Sequence, residues 1–208
     1  MNTEGAPNEA VLKGDWRTVV VRALFLYGLY MLLHQVLFLI GYFGLPEKSL
    51  VGSPWFRVGE WAAANGTWSG QFVRTLVTNL GVVCGLCATL NLQRVRGFSM
   101  GYFVPIWLGV ATGLTLGTNS FVAMDLRGVP FLAGTAQGMT IGGAETLGYI
   151  LVTAATVKLG IYRRATFWRW NDRFERVGRL RDVRLEWAEW LALAMGVGLV
   201  IVGAWRES

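Results

Sequence analysis

The stretch VVVRALFLYGLYMLLHQVLFLIGYF, residues Val19–Phe43, holds a single charge, Arg22, close to its start. A helix rises 1.5 Å per residue, and about 20 apolar residues cross the ~30 Å hydrocarbon core of a bilayer. Four more stretches of this kind follow: Phe72–Leu92, Phe98–Val122, Val129–Val157 and Trp187–Trp205. The chain therefore reads as all-α, a polytopic transmembrane helical bundle of about five spans. Residues 19–205 form one membrane domain, preceded by an N-terminal segment, 1–18, with few apolar residues. The first span is longer than a signal peptide's apolar core and no A-x-A-like site follows Phe43, so it reads as a retained anchor.

The basic residues set the orientation. With the N-terminus inside and five crossings, fourteen of the nineteen Lys and Arg residues fall on one side, eight of them between Arg163 and Arg184. Lys48, Arg57, Arg74, Arg127 and Arg206 fall on the other. Cytoplasmic loops hold the excess of Lys and Arg, which gives N-in and C-out. The composition agrees: 53% hydrophobic residues, a mean hydropathy of +0.43 and ten Trp, nine of them near span ends, where the headgroup layer suits an amphipathic ring. The net charge of +6 does not indicate nucleic acid once topology is considered. Most of it lies in one loop, 158–186, facing the anionic headgroups of a cytoplasmic membrane.

The loops predict two further elements. Ser53-Pro54 looks like a helix start and Asn65-Gly66 a stop, giving a short outer interfacial helix over Trp55–Ala64. Asn65-Gly66-Thr67 also matches a glycosylation sequon, a pattern common by chance and without meaning in a bacterium. In the inner loop, Trp168, Arg169, Trp170, Arg173, Arg176 and Arg179 alternate with Phe174 and Val177. Helical spacing of Trp170, Phe174 and Val177 predicts a basic amphipathic segment resting on anionic lipid or docking a cytosolic partner, with lipid favoured.

Glycines recur every fourth residue: Gly81 and Gly85 in span two, Gly109, Gly113 and Gly117 in span three, Gly134, Gly138 and Gly142 in span four. Each set predicts a groove that lets a neighbouring backbone approach closely. The Cys84-x-x-Cys87 pair has no second Cys/His pair to complete a zinc site and reads as small packing residues.

Three polar residues inside the spans are functional candidates. Glu145 follows Gly142-Gly143, a pair that predicts a helix break and a half-helix N-terminus at mid-membrane, as in transporter binding sites. Its alternative is a protonated Glu bonded to a neighbouring helix. His34 offers a ligand to haem iron or chlorophyll magnesium, but no cofactor is predicted. One histidine cannot supply both axial ligands of a bis-His haem, and an interhelical hydrogen bond is favoured. Asn79 reads as an interhelical bridge. By residue count the three lie at similar depth. No catalytic constellation, metal cluster or phosphate-binding loop is present, which argues against an enzyme.

Two segments resemble the stage II sporulation protein M family. They are Phe72–Val82, containing Asn79, and Gly142-Gly-Ala-Glu145 followed by Ala154-Ala155 and Leu159-Gly160. Where family members often carry His-Gly before x-x-Glu, Ile141-Gly142 stands here, so no role of that His is carried over. The resemblance covers about half the chain. It implies a multi-spanning prokaryotic inner-membrane protein that partners other membrane subunits without being an enzyme.

The fourteen-to-five split of basic residues generates a direct expectation. A reporter fused after Ser208 will be active only outside the cytoplasm, and one inserted near Arg179 only inside. The reverse activity at either site would rule out five crossings.

Overall fold

The five apolar stretches fold as five long helices. The computed structural model describes residues 16–54, 57, 61, 67–120, 131–165 and 173–207. The helices are α1 (Trp16–Gly44), α2 (Trp68–Leu90), α3 (Phe103–Gly117), α4 (Phe131–Thr156) and α5 (Trp187–Glu207). Four helices are long and apolar enough to cross a membrane: those containing α1, α2, α3 (with the turn that leads into it, from Met100) and α5. α4 has 26 residues but carries Gln137, Glu145, five glycines and five threonines, which dilute its apolar character.

Apolar side chains cover the outside. Val21, Leu24, Phe25, Leu32 and Phe43 of α1 are more than 60% exposed, and only 17% of its most apolar window is buried. Asn79, Asn91, Glu145, Thr153 and Glu189 are buried. A soluble bundle distributes these residues the other way round. Exposed apolar faces over a polar-containing interior suit surroundings that are themselves apolar.

Local chemistry sets the helix ends. α2 starts one turn before the expected Phe72, because Thr67 caps it by accepting a hydrogen bond from the Gly70 N–H at 3.2 Å. The hydroxyl of the sequon's Thr67 is therefore part of a helix cap. In α3, Pro105 occupies the first turn, where its missing N–H costs little. The chain leaves this helix through Asn119 at φ +49°, a left-handed conformation that Asn tolerates. Of the outer interfacial segment, Pro54, Arg57 and Trp61 are helical, and the rest of 55–66 lies outside the described residues.

Two pairs of helices approach closely. α3 lies on α1 through its glycine row. A Cβ on Gly109 would sit 3.0 Å from the Tyr30 carbonyl oxygen, and one on Gly113 or Gly117 would collide with the carbonyls of His34 or Phe38. Gly41 of α1 answers with its own contact at Gly117. α4 and α5 approach through Gly148 and Gly196, an added Cβ on either lying 2.7–2.8 Å from the other's carbonyl oxygen. The remaining glycines of the sequence reading differ. Gly81 and Gly85 meet only atoms of their own helix, and Gly142 meets nothing within 4 Å. The surroundings of Gly134 and Gly138 lie outside the described residues. Four-residue spacing makes a groove, but only the neighbour's position decides whether a helix fills it.

A small sheet at one end corrects the all-α expectation. Strands β1 (Gln93–Val95), β2 (Phe98–Ser99), β3 (Tyr162–Arg164) and β4 (Glu175–Arg176) pair in the order β2-β1-β3-β4. β1 and β2 form a hairpin across Arg96 (φ +51°) and Gly97 (φ +85°), two positive angles that match the right-handed twist of a tight hairpin. β1 and β3 are parallel, β3 and β4 antiparallel. The expected amphipathic helix is therefore not formed at its C-terminal half. Arg173 and Phe174 are non-helical, and Glu175–Arg176 gain backbone pairing from β3 that an isolated surface helix would lack. Trp168, Arg169 and Trp170 lie outside the described residues. At the opposite end, the Lys48 N–H donates to the Thr118 carbonyl at 2.7 Å, joining the loop after α1 to the end of α3.

The close approaches can be tested by enlarging glycines. Gly113→Leu and Gly148→Leu should each destabilise the bundle by at least ~1–3 kcal/mol, the usual range for overpacking. Gly198→Leu, with nothing within 4 Å of the added Cβ, should change little. Unfolding of detergent-solubilised protein measures the difference; equal tolerance at all three sites would refute these contacts.

Candidate functional site

Two of the three polar candidates meet. The Asn79 side-chain amide donates to Glu145 Oε1 at 2.6 Å, and both residues are buried. Tyr149, one turn further along α4, donates its hydroxyl to Glu145 Oε2 at 3.4 Å. On the α5 side, Gly203 lies against the Glu145 side chain, so that any Cβ there would collide with it. The carboxyl is thus held where α2, α4 and α5 converge. Its described neighbours present N–H and O–H donors, which suits the acceptor capacity of carboxylate oxygens.

The helix carrying Glu145 is not broken. α4 runs from Phe131 to Thr156 through Gly142-Gly143, which corrects the half-helix expectation. Two interior glycines cost about 1 kcal/mol each relative to Ala. Opening the helix among apolar surroundings would instead strand several backbone N–H and C=O groups, each at a cost of several kcal/mol. The irregularity falls in the partner helix. Val77–Cys84 of α2 is π-helical, and the Gly85 N–H reaches back five residues to the Leu80 carbonyl. Wide turns of this kind occur mostly as single-turn bulges, frequently at functional sites. Asn79 lies on this stretch, so the loosely wound part of α2 is the part that meets Glu145.

His34 sits elsewhere, on the seam between α1 and α3. Its ring stacks on Tyr30 with centroids 5.8 Å apart, and its backbone carbonyl faces Gly113. Its Nδ1 is buried without a hydrogen-bond partner among the described residues. The side chain as a whole is half-buried and is not hydrogen-bonded to Asn79 or Glu145. Cys84 and Cys87 are free and buried. Among the described residues no group of three or more His, Cys, Asp or Glu is placed to hold a metal ion. A shallow groove lined by Arg57, Trp61, Thr78 and Val82 lies on the outside of α2, and Glu145 is not part of its lining.

Two further polar clusters were not singled out in the sequence. Asn91, fully buried just after α2, donates to the Thr153 carbonyl at 2.8 Å and the Thr156 hydroxyl at 2.7 Å, and accepts from the Ser99 hydroxyl. It fastens the ends of α2 and α4 to the turn entering α3. Lys158 follows α4 and forms ion pairs with Glu186 at 2.8 Å and Glu189 at 3.1 Å. Glu189, wholly buried in the first turn of α5, also accepts from the Glu186 N–H at 2.8 Å, half of a capping box. An acid three residues after another acid at the start of an apolar run was the available signal. Nearby, the Arg94 guanidinium donates at 2.8 Å to the carbonyl of Val157, just after α4, which also accepts from the Gly160 N–H at 3.4 Å. Burial, with Arg22 and Arg163 close by, pushes the Arg94 pKa below its ordinary value.

No family, curated protein or solved structure matches the chain.

The Asn79–Glu145 contact separates two roles for the carboxyl. Glu145→Gln keeps an acceptor for Asn79 and Tyr149 and should leave stability within ~1 kcal/mol of the parent, whereas Glu145→Leu strands both donors at ~1–3 kcal/mol. Thermal unfolding in detergent measures both. A Leu variant as stable as the Gln variant would show that the hydrogen bonds do not hold the helices together.

Proposed function

We propose that this chain is a non-enzymatic integral membrane subunit that acts as a scaffold or interaction partner in a larger membrane complex. The carrying observation is how the interior polar groups are used. Glu145 is engaged by Asn79, Asn91 by Thr153, Thr156 and Ser99, and Lys158 by Glu186 and Glu189. Each joins one helix end or helix face to another, as expected of a bundle built to hold a fixed shape. The outer faces remain broad and apolar, available to lipid and to neighbouring subunits. In this proposal the chain crosses a prokaryotic cytoplasmic membrane five times, N-terminus inside. The distribution of basic residues supports that orientation. The sheet and the end of α4 lie at the end of the bundle assigned to the cytoplasm. The resemblance to the stage II sporulation protein M family supports the same reading, and the hydrogen-bonded pair Asn79 and Glu145 belongs to its two motifs.

A second reading, a transporter or channel component, is favoured by one observation: the π-helical stretch of α2 lies against the buried carboxyl. There, Glu145 would take up and release a proton or bind a cation while α2 changes its winding. A haem or pigment held by His34 is a third reading, supported by the half-buried ring and an Nδ1 that has no hydrogen-bond partner among the described residues.

One preparation tests all three. Purified from its own membranes in mild detergent, the protein should be colourless and should carry the same associated membrane proteins in stoichiometric amounts on repeated purification. In liposomes it should give no ion or proton flux. A homogeneous oligomer of this chain alone, with flux abolished by Glu145→Gln, would replace the scaffold reading with transport.

A further inference from the structure

The segment leading from β4 to α5 presents two interleaved sets of side chains. Phe174, Val177 and Leu180 are exposed by 39%, 58% and 53%, while Arg173, Arg176 and Arg179, each one residue earlier, are exposed cations. Burial inside this chain does not account for the apolar set. Phe174 is steadied by the Arg164 guanidinium, 5.8 Å from its ring centroid, and still faces outward. Five arginines stand against three acids, Glu175, Asp182 and Glu186, between residues 173 and 187, so the segment stays cationic. Asp182 lies 3.7 Å from Arg181, and Glu186 is joined to Lys158. Among the described residues, no ion pair engages Arg173, Arg176, Arg179 or Arg184.

The exposed surface does not stop at the segment. It continues into the first turns of α5, where Trp187, Trp190 and Leu191 are exposed by 78%, 56% and 45%. Spacings of three and four residues place them on one helix face. The cationic strip therefore runs directly into a helix whose outer face is apolar. Indole rings and arginines at the end of an apolar helix are the combination that a membrane–water interface selects: the rings at headgroup depth, the guanidiniums on lipid phosphate. Cations and apolar groups alternate here along an exposed segment that leads directly into an apolar, membrane-length helix, an arrangement that suits the headgroup layer beside that helix.

We propose that residues 173–187, together with Trp190, form a docking surface for the anionic headgroup layer of the membrane that holds the protein. Arg173, Arg176 and Arg179 meet lipid phosphates, and Phe174, Val177, Leu180 and Trp187 enter the apolar boundary beneath them. The surface rests on the membrane reading of the helices. It would pin the sheet end of the bundle flat against the leaflet.

The test uses one nitroxide label at a time on the full chain, with Cys84 and Cys87 replaced by Ala. Val177→Cys reports the docking surface, and Leu32→Cys, 61% exposed in the middle of α1, reports membrane insertion. In nanodiscs containing phosphatidylglycerol, the Val177 label should be shielded from a water-soluble nickel relaxant and accessible to oxygen. In phosphatidylcholine alone, or with Arg173, Arg176 and Arg179 changed to Gln, its nickel accessibility should rise several-fold. The Leu32 label should stay in hydrocarbon throughout, which shows that the variants are folded and inserted. A Val177 label in water beside phosphatidylglycerol, with Leu32 in hydrocarbon, overturns the docking surface and leaves the membrane reading intact. A Val177 label shielded only in native membranes overturns it in favour of a protein partner. A Leu32 label in water overturns the membrane reading and the docking surface with it.

Discussion

A carboxyl group among apolar side chains must find its partners within the chain, and Glu145 is in that position. Its contacts reach α2 through Asn79 and its own helix through Tyr149, while Gly203 removes the Cβ that would otherwise occupy its place against α5. Asn91 meets the same requirement with partners on α4 and in β2. A buried donor or acceptor left without a partner loses ~1–3 kcal/mol, so a single failed contact consumes much of what holds a bundle together. α4 stays unbroken across Gly142-Gly143, and the irregular winding lies instead in its partner, the π-helical part of α2. One helix is regular where the other is not, and the polar pair sits where they meet.

The ends of the bundle are joined by backbone pairing as much as by side chains. β1 follows α2, β3 follows α4, and their parallel pairing ties two helices far apart in sequence. Asn91 and Lys158 reinforce the same region with hydrogen bonds and ion pairs. Two short strands cost little chain entropy when helices already hold their starting points near each other. That explains how a sheet with strands of two and three residues persists.

The positions of the five helices were legible in the sequence because apolar length is a strong signal that needs no tertiary information. Asn79 and Glu145 were legible as polar residues in apolar runs, but their meeting was not, since residue count gives depth and not which helix faces which. The π-helical winding of α2 left no signal: Val77–Cys84 reads like any apolar helix. The glycine rows illustrate the same boundary. Gly109, Gly113 and Gly117 face α1, while Gly81 and Gly85, with identical spacing, have no other helix within 4 Å of an added Cβ among the described residues. The sheet was missed because Arg96-Gly97 is an uncommon hairpin turn and because Trp170, Phe174 and Val177 suggest a helical period over too few residues to exclude a strand. Asn91 and Glu189 sit at helix boundaries, where polar residues are ordinary and burial is invisible.

The mutual contact of Gly148 and Gly196 has an evolutionary consequence. Pairs of touching side chains usually drift together, one growing as the other shrinks, and that correlated change reveals them when many sequences are compared. Here each residue already has the smallest side chain there is, and each presses on the other's main chain. Neither can shrink to accommodate a change in its partner. Among related sequences these two positions should be silent, fixed without covariation, so this backbone-to-backbone junction between α4 and α5 would be one that correlated-substitution methods fail to detect.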